Sequence, residues 1–233
     1  MTRHILSTAV LFLLLGCGAA RTDVTPVPEG APTPGEPLRV DPAGRYLLYI
    51  HPKIVEDQGL PASSPEHGDF LYDDILEYFR RQGFTVISEQ RPKNADAKTY
   101  ALRGLAQINE LLAASVKPEN ITVVGASKGS YIASLISHLA QNSSLNYVLL
   151  AGCSPDTVAY MRQNRIDLYG NILAIRDVAD TKWAGSCAEV FAFSPGIRRH
   201  KEIVLTAGSG HGIIFSPLEG WVRPTQEWAG ASH

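Results

Sequence analysis

Short apolar segments alternate with longer amphipathic segments over most of the chain. Six of the apolar segments are rich in Val, Ile, Leu and Tyr and have the length of strands. These predicted strands span residues 45–50, 84–88, 121–125, 147–151, 171–176 and 202–206. Most of them are continuously apolar, which is typical of strands that are buried on both faces of a parallel sheet.

The segments between these strands carry apolar residues at helical spacing. Residues 70–82 form the clearest helix, since Asp69 precedes the apolar stripe and Gly83 follows it. Further helices are predicted over residues 99–115, 129–140 and 156–163 and in a C-terminal stretch that includes Trp221 and Trp228. Strands and helices that alternate in this way predict the α/β class, with a mainly parallel central sheet and helices on both faces. No insertion is long enough for a large cap domain.

The first residues form a predicted export signal. Arg3 and His4 precede an apolar run, residues 5–15, which is too short to span a bilayer comfortably. The run ends in Leu-Leu-Gly-Cys, residues 14–17, which resembles the lipobox of bacterial lipoproteins. The resemblance implies a signal peptide over residues 1–16 and lipidation of Cys17. An ordinary signal peptide that is cleaved near residues 18–20 is the alternative.

A proline-rich segment follows the signal. Residues 17–42 contain six prolines with Gly and Thr between them, a composition that favours an extended linker. The domain proper is therefore expected over residues 43–233. A lipid on Cys17 and this spacer would hold an exported domain at the bacterial cell envelope, with the membrane as an anchor only.

Composition and charge fit one globular domain. A chain of 233 residues is long enough for one packed core and short for two. An apolar fraction of 45%, a charged fraction of 19% and a net charge of -2 are ordinary for such a protein. No run of Lys and Arg with interleaved aromatic residues offers a binding surface for nucleic acid, so no nucleic-acid partner is expected.

Two cysteines, Cys153 and Cys187, lie in the expected domain. Export to an oxidising compartment permits a disulfide between them. Two free buried thiols are the alternative, because Cys is among the residue types that are most often buried.

The pentapeptide Gly125-Ala126-Ser127-Lys128-Gly129 fits the pattern G-x-S-x-G. It lies directly between the predicted strand that ends at residue 125 and the predicted helix that begins at residue 129. A serine at the apex of such a sharp turn projects its hydroxyl free of the sheet, and flanking glycines avoid collisions with the neighbouring helix and strand. A phosphate-binding turn is the alternative, but the glycine spacing matches neither common phosphate motif.

From about Tyr46 to His211 the chain resembles the alpha/beta-hydrolase family, in which nucleophile, acid and histidine occur in that order. The resemblance implies a minimal version of that fold, with Ser127 as the nucleophile. A serine hydroxyl needs an imidazole to accept its proton and a carboxylate to orient the imidazole. His211 is the predicted histidine because it follows the last strand on a glycine-rich loop, whereas His67 and His200 are expected on the solvated surface.

Asp177 is the predicted acid. It directly follows the strand over residues 171–176, and the family's acid commonly ends the strand before the histidine strand. Asp180 is the nearest alternative if the loop folds back, and Asp156 is a more distant one.

The oxyanion hole is expected to use two backbone N–H groups, one of them from Lys128. The other should come from the loop that begins His51-Pro52-Lys53-Ile54, which resembles the family's H-G-x segment with Pro52 in place of glycine. Because proline has no N–H, the predicted second donor is Lys53, with Ile54 as the alternative. The side chain of His51 is expected to support the loop.

These residues imply hydrolysis of a carboxylic ester, or of a related acyl bond, through an acyl-enzyme on Ser127. The expected partner is a small-molecule or acyl-ester substrate, and neither a metal nor an organic cofactor is implied. Amide, thioester and lactone hydrolysis and acyl transfer would use the same residues. Pro52 favours one alternative, an envelope lipoprotein that binds ligands with the hydrolase fold but has weak or no catalysis. A scaffold without a pocket is a third possibility.

Overall fold

A computed structural model describes residues 40–230 of the chain. The predicted signal peptide, the lipobox cysteine Cys17 and nearly all of the proline-rich linker lie outside the described residues. Among residues 40–230, no helix is long and apolar enough to cross a bilayer.

The strands of the described part are β1 (Arg45–Ile50), β2 (Ser63–Ser64), β3 (Gly68–Asp69), β4 (Phe84–Ile87), β5 (Ile121–Ala126), β6 (Asn146–Leu150), β7 (Tyr169–Asp177) and β8 (Gly196–Leu205). The α-helices of the same part are α1 (Lys53–Gln58), α2 (Tyr72–Arg81), α3 (Ala97–Ala113), α4 (Lys128–Ala140), α5 (Pro155–Gln163), α6 (Ala188–Phe193) and α7 (Glu219–Gly230). Short 3-10 helices cover Pro118–Asn120 and Gly210–Ile214.

Six strands form one sheet in the order β4-β1-β5-β6-β7-β8, and every neighbouring pair runs parallel. The predicted α/β class with a mainly parallel sheet is therefore confirmed. The chain leaves β1 for β4 on one side and then crosses to β5 on the other. Loops that follow β1 and β5 consequently turn to opposite faces, and parallel sheets hold their ligands in the crevice at such a switch point.

Both faces of the sheet are buried because helices cover each of them. On one face, alternate strand residues such as Leu47, Tyr49 and Val124 join a core cluster with Phe79 of α2 and Trp221 of α7. The rings of Phe79 and Trp221 lie 5.9 Å apart. On the other face, α3 and α4 pack against each other. Burial on two sides explains why the central strands have no polar alternation.

Some elements were not predicted. Helices α1 and α6 have six residues each, too few for a clear periodic pattern, and β2 and β3 form a hairpin of two-residue strands. Strand β8 begins at Gly196, six residues before the predicted start. It is an edge strand, and its residues 198–201 are polar and none of them is buried, so no apolar segment marks the first half of the strand.

Candidate active site

Ser127 occupies a strained turn between β5 and α4. Its backbone has φ 53° and ψ -117°, a conformation that residues other than glycine rarely adopt and that tends to occur at functional sites. A Cβ on Gly125 would collide with the backbone of Gly129, and a Cβ on Gly129 would collide with the carbonyl of Ile50. The two glycines thus allow α4 to begin directly against β1 and β5, as the pentapeptide predicted.

His211 reaches Ser127 from the short helix Gly210–Ile214, which follows β8. The distance from His211 Nε2 to Ser127 Oγ is 2.9 Å. This is hydrogen-bond distance, and the two side chains lie 84 positions apart in the chain. The imidazole is therefore placed to accept the hydroxyl proton of Ser127.

The structure corrects the predicted acid. Asp180 Oδ2 lies 2.5 Å from His211 Nδ1, whereas both carboxylate oxygens of Asp177 bind other groups. Asp177 accepts hydrogen bonds from the backbone N–H of Ala179 at 2.8 Å and of Ala207 at 3.0 Å. Strand β7 includes Asp177 itself, so this residue is fixed at the sheet, and the next turn carries Asp180 back toward the histidine.

The turn after β7 orients the Asp180 carboxylate. The N–H of Asp180 donates to the carbonyl of Asp177 at 3.1 Å, which closes the turn. The second carboxylate oxygen of Asp180 accepts from the N–H of Trp183 at 3.0 Å. Asp180 is 4% exposed, so the carboxylate faces His211 in a largely dry environment. Asp156, the third candidate, is exposed in the first turn of α5.

The loop after β1 is held by a buried histidine, as expected for His51. His51 Nε2 accepts from the backbone N–H of Arg91 at 2.9 Å, so Nδ1 carries the hydrogen and donates to the carbonyl of Pro52 at 2.8 Å. Burial, and next the positive charge of Arg91, lower the pKa of His51 to about 4. The ring is therefore neutral near pH 7, in one defined tautomer.

This hydrogen bond sets the direction of the next N–H group. In a trans peptide the C=O and the N–H point to opposite sides. Since the Pro52 carbonyl faces the His51 ring, the N–H of Lys53 points away from it. Lys53 and Lys128 are the first residues of α1 and α4, where N–H groups have no partner within the helix. Lys53 and Lys128, the two predicted oxyanion donors, line the same cavity as Ser127.

The fold of this chain is also found among solved structures. The chain is similar to Est1E from Butyrivibrio proteoclasticus, with a TM-score of 0.53, 12% identity, and coverage of 80% of this chain and 87% of that one. The chain has the alpha/beta-hydrolase fold.

Two further solved structures have lower TM-scores. SOBER1 from Arabidopsis thaliana has a TM-score of 0.49 and 16% identity, and the match covers 78% of this chain and 99% of that one. The RedJ thioesterase from Streptomyces coelicolor has a TM-score of 0.48 and 11% identity, with 87% and 91% covered. No protein-family model and no curated protein sequence matches the chain.

A cavity of about 570 Å³ opens at the serine of this hydrolase fold. The hairpin β2–β3 forms one wall and brings His67 into the cavity, which corrects its predicted place on the solvated surface. The His67 ring packs 5.1 Å from the ring of Phe215, and its side chain is 16% exposed. Trp183 forms part of the opening, with its ring 6.4 Å from the His211 ring and 57% of the residue exposed.

Cys153 and Cys187 form a disulfide, the first of the two alternatives that the sequence allowed. Cys153 follows β6 and lines the cavity, and Cys187 precedes α6. The bond therefore connects the cavity wall to the far end of the segment that carries Asp180 and Trp183.

Within residues 40–230, no group of three or more His, Cys, Asp or Glu side chains is arranged to hold a metal ion.

Proposed function

We propose that this protein is a serine hydrolase that cleaves a carboxylic ester, or a related acyl bond, through an acyl-enzyme on Ser127. One observation carries the proposal: His211 lies between the Ser127 hydroxyl, at 2.9 Å, and the Asp180 carboxylate, at 2.5 Å. A serine, an imidazole and a carboxylate in this sequence of contacts are the components of an activated nucleophile. The strained backbone of Ser127 supports the proposal, because such strain is common at nucleophiles.

In the first half of the reaction, the Ser127 oxygen attacks the acyl carbon while His211 Nε2 takes the hydroxyl proton. Asp180 keeps the second ring hydrogen on Nδ1 and stabilises the imidazolium that forms. The N–H groups of Lys53 and Lys128 stabilise the negative charge on the acyl oxygen. His211 then gives its proton to the leaving alcohol. In the second half, water attacks the acyl carbon while His211 Nε2 takes its proton, and His211 then returns this proton to the Ser127 oxygen as the acid is released.

Asp180 replaces Asp177 as the acid of this proposal. A carboxylate orients the imidazole only when it is within hydrogen-bond distance, and Asp177 spends both oxygens on backbone N–H groups. Asp177 instead holds the end of β7 against the loop that leads to His211. Its role is to position these two segments.

Pro52 was the best support for a binding module without catalysis. The orientation of the Pro52 carbonyl leaves the N–H of Lys53 directed away from His51, so this N–H is free of the His51 ring and supports a donor role for Lys53 despite the proline. The cavity beside Ser127 is bordered by polar residues of the β2–β3 hairpin and by Trp183, and we propose a small or exposed ester as its substrate.

Hydrolysis of nitrophenyl esters with acyl chains of rising length tests the proposed reaction. We expect the purified protein to release nitrophenol from at least one member of the series, and Ser127→Ala to lower kcat by a factor of about 10⁴ or more. A folded wild-type protein that turns over no member would favour the binding module. Equal turnover by Ser127→Ala would remove Ser127 from the mechanism.

A further inference from the structure

Glu56 is a buried carboxylate that the mechanism above does not use. It belongs to α1, its side chain is 0% exposed, and two cations bind it. Lys128 Nζ donates to Oε1 at 2.6 Å, and Arg91 Nε donates to Oε2 at 3.3 Å. A buried carboxylate is stable as an anion only with such partners, so this arrangement differs from an ordinary surface ion pair.

The three charged side chains connect the segments that surround the proposed oxyanion hole. Glu56 lies one helical turn after Lys53, on the helix whose first N–H is a proposed donor. Lys128 begins α4 and supplies the other proposed donor through its backbone. Its ammonium also donates to the carbonyl of Ala95 at 2.8 Å. Arg91 donates to the carbonyl of His51 at 2.6 Å, which secures the start of the loop before α1.

A neighbouring pair on the same helix provides a contrast. Lys53 and Asp57 are four residues apart and form an ion pair, but their side chains are 57% and 35% exposed. Exposed pairs of this kind contribute little, and this one joins two positions of a single helix. The Glu56 carboxylate instead joins two different helices, α1 and α4, because its partner Lys128 is 72 positions later in the chain.

From these contacts we propose that Glu56 and the side chain of Lys128 are positioning residues that set the separation of the two oxyanion donors. The inference rests on the proposed function, because it assigns a role within the same site. It also accounts for lysine as the residue after Ser127: the backbone N–H of Lys128 faces the reacting oxygen, and its side chain anchors that backbone to α1. Oxyanion donors act through preorganised geometry, so a loosened anchor slows the chemical step more than it weakens substrate binding.

The test compares Lys128→Met with the wild-type full chain in nitrophenyl-ester hydrolysis. Methionine fills similar space without a charge and leaves the backbone N–H in place. We expect kcat to fall about tenfold to a hundredfold while KM stays within about a factor of two. Lys128→Arg keeps a cation that can bind the Glu56 carboxylate, and we expect this variant to retain most of the wild-type kcat. Combination of Glu56→Gln with Lys128→Met should lower kcat no further than the larger single effect, because the pair acts as a unit.

Ile121→Ala is the matched control for general loss of stability. Ile121 is fully buried at the start of β5, at the opposite end of this strand from Ser127, so this variant should lower the melting temperature without a change in kcat. If Lys128→Met does not fold, the same split between kcat and KM is measured in Lys128→Leu, which also removes the ammonium and its hydrogen bonds to Glu56 and Ala95.

Unchanged kcat in a folded Lys128→Met or Lys128→Leu variant overturns the positioning role. The role is also overturned if Lys128→Arg has a kcat as low as that of Lys128→Met. Absence of turnover in the wild-type protein overturns the proposed function and this inference together. Wild-type turnover that depends on Ser127 but not on Lys128 overturns the inference alone.

Discussion

The carboxylate of Asp180 has a partner for each oxygen, one on His211 and one on the backbone of Trp183. Its substitution by asparagine should leave the fold intact but place an amide against His211 Nδ1, so that the imidazole is no longer held in the required tautomer. We expect Asp180→Asn to lower kcat by a factor of about 10³ to 10⁴ with little change in the free energy of unfolding. Ester kinetics and urea unfolding measure the two quantities.

Asp177→Asn is the matched variant, because it makes the same chemical change three positions away. Asparagine can accept only one of the two backbone hydrogen bonds that Asp177 accepts now. We expect the free energy of unfolding to fall by about 1–3 kcal/mol and kcat to stay within about tenfold of wild type. The opposite pattern, in which Asp177→Asn abolishes turnover and Asp180→Asn does not, would return the acid to Asp177.

His51 predicts a dependence of stability on pH. Its pKa is about 4 in the folded protein, because the ring is buried beside Arg91 and also faces Lys128, with Glu56 opposing them. An unfolded histidine has a pKa of about 6.5, so between these values the unfolded chain binds a proton that the folded one does not. Stability therefore decreases as the pH falls from about 6.5 to about 4, by at most about 1.4 kcal/mol per pH unit.

Urea unfolding at about pH 7.5 and about pH 5 measures this contribution, with His51→Asn as the reference. Asparagine keeps a donor for the Pro52 carbonyl but does not titrate. The wild type should lose about 2 kcal/mol more than the variant over this interval. An equal loss in both proteins would mean that His51 does not carry the pH dependence.

The elements around Ser127 differ in how far sequence patterns could predict them. Strand β5 and helix α4 are continuous local patterns, so the turn between them and the position of Ser127 could be predicted. The contact between Asp180 and His211 could not, because it depends on a turn after β7 and on a loop after β8 that meet only in the folded protein. An Asp-x-x-Asp spacing was its only local signal, since aspartate favours turns.

Helix α1 and the β2–β3 hairpin were also beyond reach of the sequence patterns. Six residues give too little periodicity to identify a helix, so Glu56 had no predicted element and no reason to be buried. His67 is drawn into the cavity by Phe215, which is 148 positions later in the chain. A contact between residues so far apart in the chain forms only when the loops at the carboxyl ends of the strands pack together, so no local pattern predicts it.

The disulfide between Cys153 and Cys187 closes a segment of 34 positions that includes Asp180. Removal of such a cross-link destabilises a protein by about 2–4 kcal/mol, mainly because the unfolded chain gains freedom. We expect Cys153→Ala with Cys187→Ala to lower the free energy of unfolding by this amount and also to lower kcat, since the segment that carries Asp180 and Trp183 loses its far anchor. Urea unfolding and ester kinetics check the two effects. Unchanged stability and kcat would show that the bond is dispensable for the site.

The order of the sheet accounts for the location of the whole site. Because β1 lies between β4 and β5, the loops after β1 and β5 separate at their carboxyl ends, and Lys53 and Ser127 face the same crevice. Loops after β7 and β8 supply Asp180 and His211 at the same edge. Alternation of strands and helices predicted the parallel sheet, because each parallel strand needs a crossover to the next, but it did not predict the order of the strands.

The N-terminal residues predict where the molecule acts. We propose that lipid on Cys17 anchors the domain to the bacterial envelope and that the proline-rich linker holds it away from the membrane surface. Labelled palmitate should enter the full-length chain, and Cys17→Ser should abolish incorporation. Label that persists in Cys17→Ser would refute the lipobox interpretation and favour an ordinary cleaved signal.

Covalent capture of the nucleophile tests the central claim most directly. A fluorophosphonate probe reacts with a serine only when a neighbouring base and oxyanion donors activate it. The purified wild-type protein should form a stable adduct that peptide mass spectrometry locates on Ser127, and Ser127→Ala should form none. An adduct on another residue, equal labelling of Ser127→Ala, or no reaction of the folded wild-type protein would contradict a serine nucleophile at position 127.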